Sequence, residues 1–208
     1  MMRCTRPPEP PLLQTHGVAW TERFVKRRRD DANAAFAWPQ HEGVALNQRL
    51  LPSLVAMTQH HCAYCDHFEL GVDGARATID HFRPKGDARF WHLAYAWSNL
   101  FPCCDLRQSA KAERFCELAV APDDTRYTFV RFFVVRFATG CLEPNPGATP
   151  DDQERAREMI AWLGLNDHGR PEARRRAYRH RYAPHLWYAD HPPLDELPYR
   201  YLCPDAAR

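Results

Sequence analysis

Cys62-Ala-Tyr-Cys65, Ala77-Thr-Ile-Asp-His-Phe-Arg-Pro-Lys85 and Tyr95-Ala-Trp-Ser-Asn-Leu-Phe-Pro-Cys-Cys104 follow one another in the middle of a 208-residue chain. Thr78-Ile79 is β-branched and predicts a short strand, and Pro84 forces a turn after it. Asp80 and His81 therefore fall at the mouth of that turn. Strand neighbours face opposite sides, but at a strand end one can hold a metal while the other meets a substrate. Phosphodiester hydrolysis needs that division of labour: a carboxylate holds a divalent cation that neutralises phosphate charge, and a neutral imidazole takes a proton from water. Arg83 and Lys85 would supply charge for flanking phosphates. Taken alone, the same dipeptide also reads as a surface pair in a proline turn.

Cys62-x-x-Cys65 can grip one tetrahedral ion, because the intervening turn points both sulfurs inward. A second knuckle beginning at Cys104 would need a ligand three residues on, where Arg107 stands. Three ligands are thus expected, Cys62, Cys65 and Cys104, with the fourth open among Cys103, Cys116, His60 and His61. Buried thiols acting as small hydrophobes, or a redox pair, are the alternatives. Asp105 to Phe115 predicts a short helix carrying Lys111, and Asn99 can brace a histidine through its side-chain amide.

Outward from this centre, a proline-rich arm (Arg6 to Pro11) precedes a charged helix expected from about Thr21 to Phe36. A second helix is expected from Asn47 to Met57, weakened by Pro52. Arg126 to Ala138, apolar on both alternating faces, predicts a long covered strand. Thr149-Pro150-Asp151-Asp152 marks a helix start, with a cap, a proline at the first position and acids at the positive dipole end. From Pro171 a second C-terminal helix carries Arg170, Arg174, Arg175, Arg176, Arg179 and Arg181, which suits DNA, a partner surface or a solvated face. The tail from Pro184 is expected to be irregular.

Hydrophobic residues form 45% and charged residues 26% of the chain, which excludes a disordered or fibrous protein. No apolar run reaches membrane length and the start has no signal-peptide core, so a cytoplasmic protein with no membrane partner is expected. The formal net charge of +2 leaves nucleic-acid binding to local patches. The eight cysteines, in a reduced compartment, favour metal over disulfide.

Knuckle, Asp-His-x-x-Pro-Lys, Trp-Ser-Asn-Leu, Cys104 and Lys111 together resemble an HNH nuclease of the ββα-metal class. Arg-Pro-Pro-Glu-Pro-Pro-Leu-Leu, the Trp20 region and Met159-Ile-Ala-Trp-Leu-Gly-Leu-Asn166 extend the likeness to the HNH endonuclease subunits of Septu-type and retron-associated anti-phage defence systems. The resemblance implies an α+β chain in which a small ββα-metal core with a zinc knuckle is embedded in mostly helical segments. It divides into an N-terminal arm and helices (1–59), the core (60–116), and a C-terminal strand and helical segment (117–208). It further implies His81 as general base, Asp80 as ligand of a catalytic Mg²⁺ or Mn²⁺, Asn99 orienting the histidine, and Lys111 joining Arg83 and Lys85 toward a DNA substrate. Gln108 stands where an Asn would help hold the catalytic metal. Arg107 replaces a zinc thiolate, so Cys103 is the substitute expected beside Cys62, Cys65 and Cys104 for Zn²⁺. The implied partner is an ATPase of the SMC/ABC-like type, with a retron reverse transcriptase and its nucleic acid as a further one. A catalytically inactive zinc-knuckle adaptor is the alternative.

Overall fold

The computed structural model describes residues 1–70, 77–182 and 192–203. Within them the protein is α+β, with helices around three separate two-stranded antiparallel sheets. Helix α1 (Pro11–Asp30) begins with Pro11 at its first position, where a missing N–H costs nothing. It thus starts ten residues before the expected Thr21 and ends before Phe36. Its Leu13, Trp20 and Phe24 are buried, while Arg27, Arg28 and Arg29 crowd the negative dipole end. A two-residue hairpin, β1 (Gln40–His41) and β2 (Val44–Ala45), leads into α2 (Leu46–Met57). Leu46, Leu50 and Leu54 of α2 form one buried stripe, and Pro52 is accommodated on the exposed face.

The central hairpin pairs β3 (Thr78–His81) with β4 (Leu100–Cys103), His81 opposite Leu100 and Asp80 opposite Phe101. Helix α3 (Asp105–Lys111) follows β4 immediately and stops before the expected Phe115, because Ala112 takes a left-handed φ of 49°. The hairpin is a wall between two apolar clusters. Ile79 and Leu100 join Trp20, Phe24, Leu50, Leu54 and Tyr95 on one side. Phe82, Phe101 and Cys103 join Tyr64, Trp162 and the C-terminal residues on the other.

Arg126 to Ala138 is not one strand. Phe129–Phe132 forms a single helical turn, α4, and only β5 (Phe133–Arg136) is extended, paired with β6 (Cys141–Pro144). Apolar residues on both faces fit either period, and Phe129 and Phe132, three apart, both reach the core as a helical turn. Helix α5 (Pro150–Trp162) is capped as expected, the Thr149 hydroxyl accepting from Asp152 N at 3.2 Å. In α6 (Arg170–Ala177) Arg170 and Arg174 are buried, so part of the arginine-rich face belongs to the interior. Among the described side chains the expected face for DNA or a partner is reduced to Arg176 and Arg179, exposed, and the half-buried Arg175, while the Arg181 side chain lies outside them. Of the tail, 183–191 and 204–208 lie outside the described residues, whereas Leu197 and Tyr199 to Leu202 are buried core rather than loose chain. Among the described residues no helix is long and apolar enough to cross a membrane.

Candidate metal centre and buried Asp-His pair

The knuckle is built by its own backbone. Cys62 N donates to the His67 carbonyl at 2.9 Å and Asp66 N to the Cys62 carbonyl at 2.9 Å, closing a turn that Ala63 N hooks to Pro102 of β4 at 3.0 Å. Cys104, at the junction of β4 and α3, is thereby brought to the same point. The Cys62, Cys65 and Cys104 sulfurs lie within 4.8 Å of one another and all are buried. Bonds of about 2.3 Å to a tetrahedral zinc would separate two sulfurs by about 3.8 Å; Cys65 and Cys104 are 3.8 Å apart. The donor set and its spacing therefore fit a metal such as zinc.

Burial pushes the Cys62 and Cys65 thiols up, but Cys104 is held well below the ordinary thiol range. Hydrogen bonds from Cys103, Cys62 and Cys65 are the cause, with the Arg170 charge adding to them. One thiolate thus collects the hydrogen bonds of its neighbours, and Arg170 Nη2 sits 3.4 Å from its sulfur. Cys103 lies outside the group of three. Its thiol is buried and donates to the Cys104 carbonyl at 3.2 Å. Arg107 cannot ligate and is turned away: its Nη1 donates to the carbonyls of Leu163, at 2.5 Å, and Gly164, capping the end of α5.

Asp80 and His81, adjacent on β3, face opposite sides of the hairpin, and each is 4% exposed. Asp80 Oδ2 accepts from the Tyr64 hydroxyl at 2.7 Å and pairs with Lys111 Nζ at 3.2 Å. The same Nζ donates to the His81 carbonyl at 2.7 Å, and Lys111 itself is 1% exposed. Burial raises the Asp80 carboxyl above its ordinary range, although Lys111 opposes the shift. Lys111 therefore neutralises Asp80 from inside the fold rather than standing at a substrate surface.

His81 Nε2 donates to the Ala94 carbonyl at 2.9 Å, so the neutral ring keeps its lone pair on Nδ1. Trp38 stacks on it with centroids 5.5 Å apart, and Phe36 meets it edge-on at 5.1 Å. Burial, helped by Lys85, pushes its pKa down to about 3. Trp38 also lines, with Arg23, Arg27 and Tyr95, a cavity of about 260 Å³.

Asn99 does its bracing one step removed from the ring. Its Oδ1 accepts from Arg83 N at 2.8 Å and its Nδ2 donates to the Arg83 carbonyl at 3.0 Å and the Leu93 carbonyl at 3.2 Å. The amide thus holds the turn that follows His81. Gln108 Nε2 reaches the Ile79 carbonyl at 3.3 Å, placing α3 across β3. Arg83 is exposed, whereas Lys85 pairs with Glu113 at 2.9 Å. Tyr64, Phe36 and Trp38 have no expected role in the sequence, and Arg170, expected on a DNA, partner or solvated face, lies instead against Cys104. Tyr64 sits inside the quoted knuckle and could have been suspected; nothing local marks the other three. No protein-family model matches the chain, and no curated protein matches it significantly in sequence.

Proposed function

We propose that the chain is a metal-dependent HNH-type endonuclease that hydrolyses DNA phosphodiesters and works with a partner ATPase in anti-phage defence. One observation carries this reading: a hairpin strand ending in Asp80-His81 runs, through β4, directly into a helix whose Gln108 and Lys111 reach back to that strand, while Asn99 fixes the turn beyond the histidine. Strand, strand and helix in that order bring the proposed base, the proposed Mg²⁺ or Mn²⁺ ligand and Gln108 onto one small frame. Neutral His81 would accept the proton of the attacking water, and the cation would supply charge stabilisation at the scissile phosphate. Phe36 and Trp38, which cover the imidazole, belong to a stretch without regular structure between α1 and β1. Displacing that stretch uncovers the base, and docking of the ATPase or DNA is the proposed trigger. The test is plasmid nicking with Mg²⁺ or Mn²⁺, with and without the ATPase. Cleavage abolished by His81→Ala supports the assignment, and equal cleavage by that variant overturns it.

A catalytically inactive knuckle adaptor is favoured by a different observation, the closure of Asp80 by Tyr64 and Lys111. Cation-independent binding of DNA or the ATPase, with no cleavage under any partner condition, would decide for it.

A further inference from the structure

Three thiols and a diverted arginine leave the metal centre one ligand short. Both nitrogens of His61 meet carbonyls, Nδ1 that of Gln59 at 2.5 Å and Nε2 that of Leu197 at 2.9 Å, and His60 is an exposed side chain whose Nδ1 is bonded to the Leu70 carbonyl at 3.2 Å. Cys103, the strand neighbour of Cys104, faces the Asp80 and Phe101 side and lies outside the group of three sulfurs. His67 is different. Its Nδ1 is buried with no hydrogen-bond partner, the one imidazole nitrogen in that state among the described residues. It follows Cys65 by two positions, on the turn that presents the knuckle, and it shares the lining of one cavity with Cys104 and Arg170.

We propose that His67 completes the centre, giving a Cys₃His site on Cys62, Cys65, Cys104 and His67. The imidazole lies outside the 4.8 Å group formed by the three sulfurs, so the metal draws it in by side-chain rotation. Charge favours this set over four thiolates. Zn²⁺ with three thiolates and a neutral imidazole carries one negative charge, which the buried Arg170 guanidinium beside Cys104 offsets. A fourth thiolate would leave a second buried charge uncompensated. A metal bond also satisfies an orphaned nitrogen that would otherwise lack any partner.

The proposal does not rest on the nuclease reading, because every readout belongs to the metal. Protein produced in cobalt-supplemented medium gives thiolate-to-metal charge-transfer absorption whose intensity per cobalt counts thiolates. Three are expected in the wild type and in Cys103→Ser, and four in His67→Cys. In zinc-loaded protein, His67→Ala is expected to lose metal to a competing chelator at least about tenfold more readily, while Cys103→Ser matches the wild type. A four-thiolate spectrum that falls to three in Cys103→Ser overturns the proposal in favour of Cys103. Unchanged retention in His67→Ala, or no tetrahedral cobalt in the wild type, overturns it as well.

Discussion

Lys111→Met is the perturbation that most directly probes the buried pair at the centre of the hairpin. Methionine keeps a long apolar stem beside Trp162, over whose ring the ammonium sits at 5.5 Å, but removes the charge 3.2 Å from Asp80. The carboxylate is left buried with the Tyr64 hydroxyl alone. Breaking a buried pair from one side costs about 3–5 kcal/mol, and the lost bond to the His81 carbonyl lies within that figure. Asp80→Asn/Lys111→Met removes both charges and should recover all but about 1–2 kcal/mol. Urea unfolding at constant slope measures each variant. The deficit also has a pH signature. Burial raises the folded carboxyl's pKa, so its protonated form is favoured by folding and the penalty grows as pH rises from the ordinary carboxylate range up to the raised value. Without Lys111 the value rises further. The gap between Lys111→Met and the wild type should therefore narrow as the pH falls toward the ordinary carboxylate range. A cost below about 1 kcal/mol, or a double variant no more stable than Lys111→Met, would refute the account of Lys111 as an internal counterion.

His81 should make the fold acid-sensitive: its folded pKa of about 3 lies below the ordinary 6.5, so the unfolded chain alone takes the proton between those values. Stability present above pH 6.5 should fall by about 2 kcal/mol from pH 7.5 to 5, and His81→Phe, compared in urea titrations across that range, should lack this share of the slope. Gly140, at φ +78°, would place a Cβ 2.0 Å from the Pro171 carbonyl oxygen. Gly140→Ala should cost about 3 kcal/mol in thermal unfolding, against about 1 kcal/mol for Gly43→Ala, whose left-handed site is sterically open. Arg200 Nη2 pairs with Asp66 at 2.7 Å, and its Nη1 meets Gln59 Oε1 at 2.5 Å. Arg200→Lys loses that fork and should cost about 2 kcal/mol, visible as faster amide exchange in residues 192–203; unaltered exchange there would contradict it.

The elements legible in the sequence were those decided by neighbours in the chain. Thr149, Pro150 and two acids define the start of α5 locally, and Leu46, Leu50 and Leu54 set the buried stripe of α2. The knuckle was legible for the same reason, since Cys62 and Cys65 share one turn. Arg126 to Ala138 was misread because its apolar residues satisfy helix and strand periods alike, and the partner β6 decides where extension begins. The site was less legible because its chemistry is assembled from afar. Nothing near Trp38 in the sequence announces that it stacks on His81. Arg107 and Arg174 look like surface charge until the carbonyls of Leu163, Leu165 and Gly140 are found around them. Asn99, expected to brace the histidine, bonds the backbone of the turn that follows it rather than the ring.

The two-sided hairpin also decides which changes of length this chain can accept. Ile79 and His81 belong to the aromatic side, Asp80 and Phe82 to the side of Tyr64 and Lys111. A single-residue insertion within Thr78–His81 would exchange them, driving an unpaired carboxylate among Phe36 and Trp38 and leaving Lys111 facing an imidazole. The stretch between the strands is bound by no such parity, as its 3-10 turns are not paired in register with β3 and reach it and the following turn by hydrogen bonds at Ala94 and Asn99. Natural variation in length is therefore expected in the connection from Lys85 to Tyr95, and exclusion of it from the four residues that separate the two interiors.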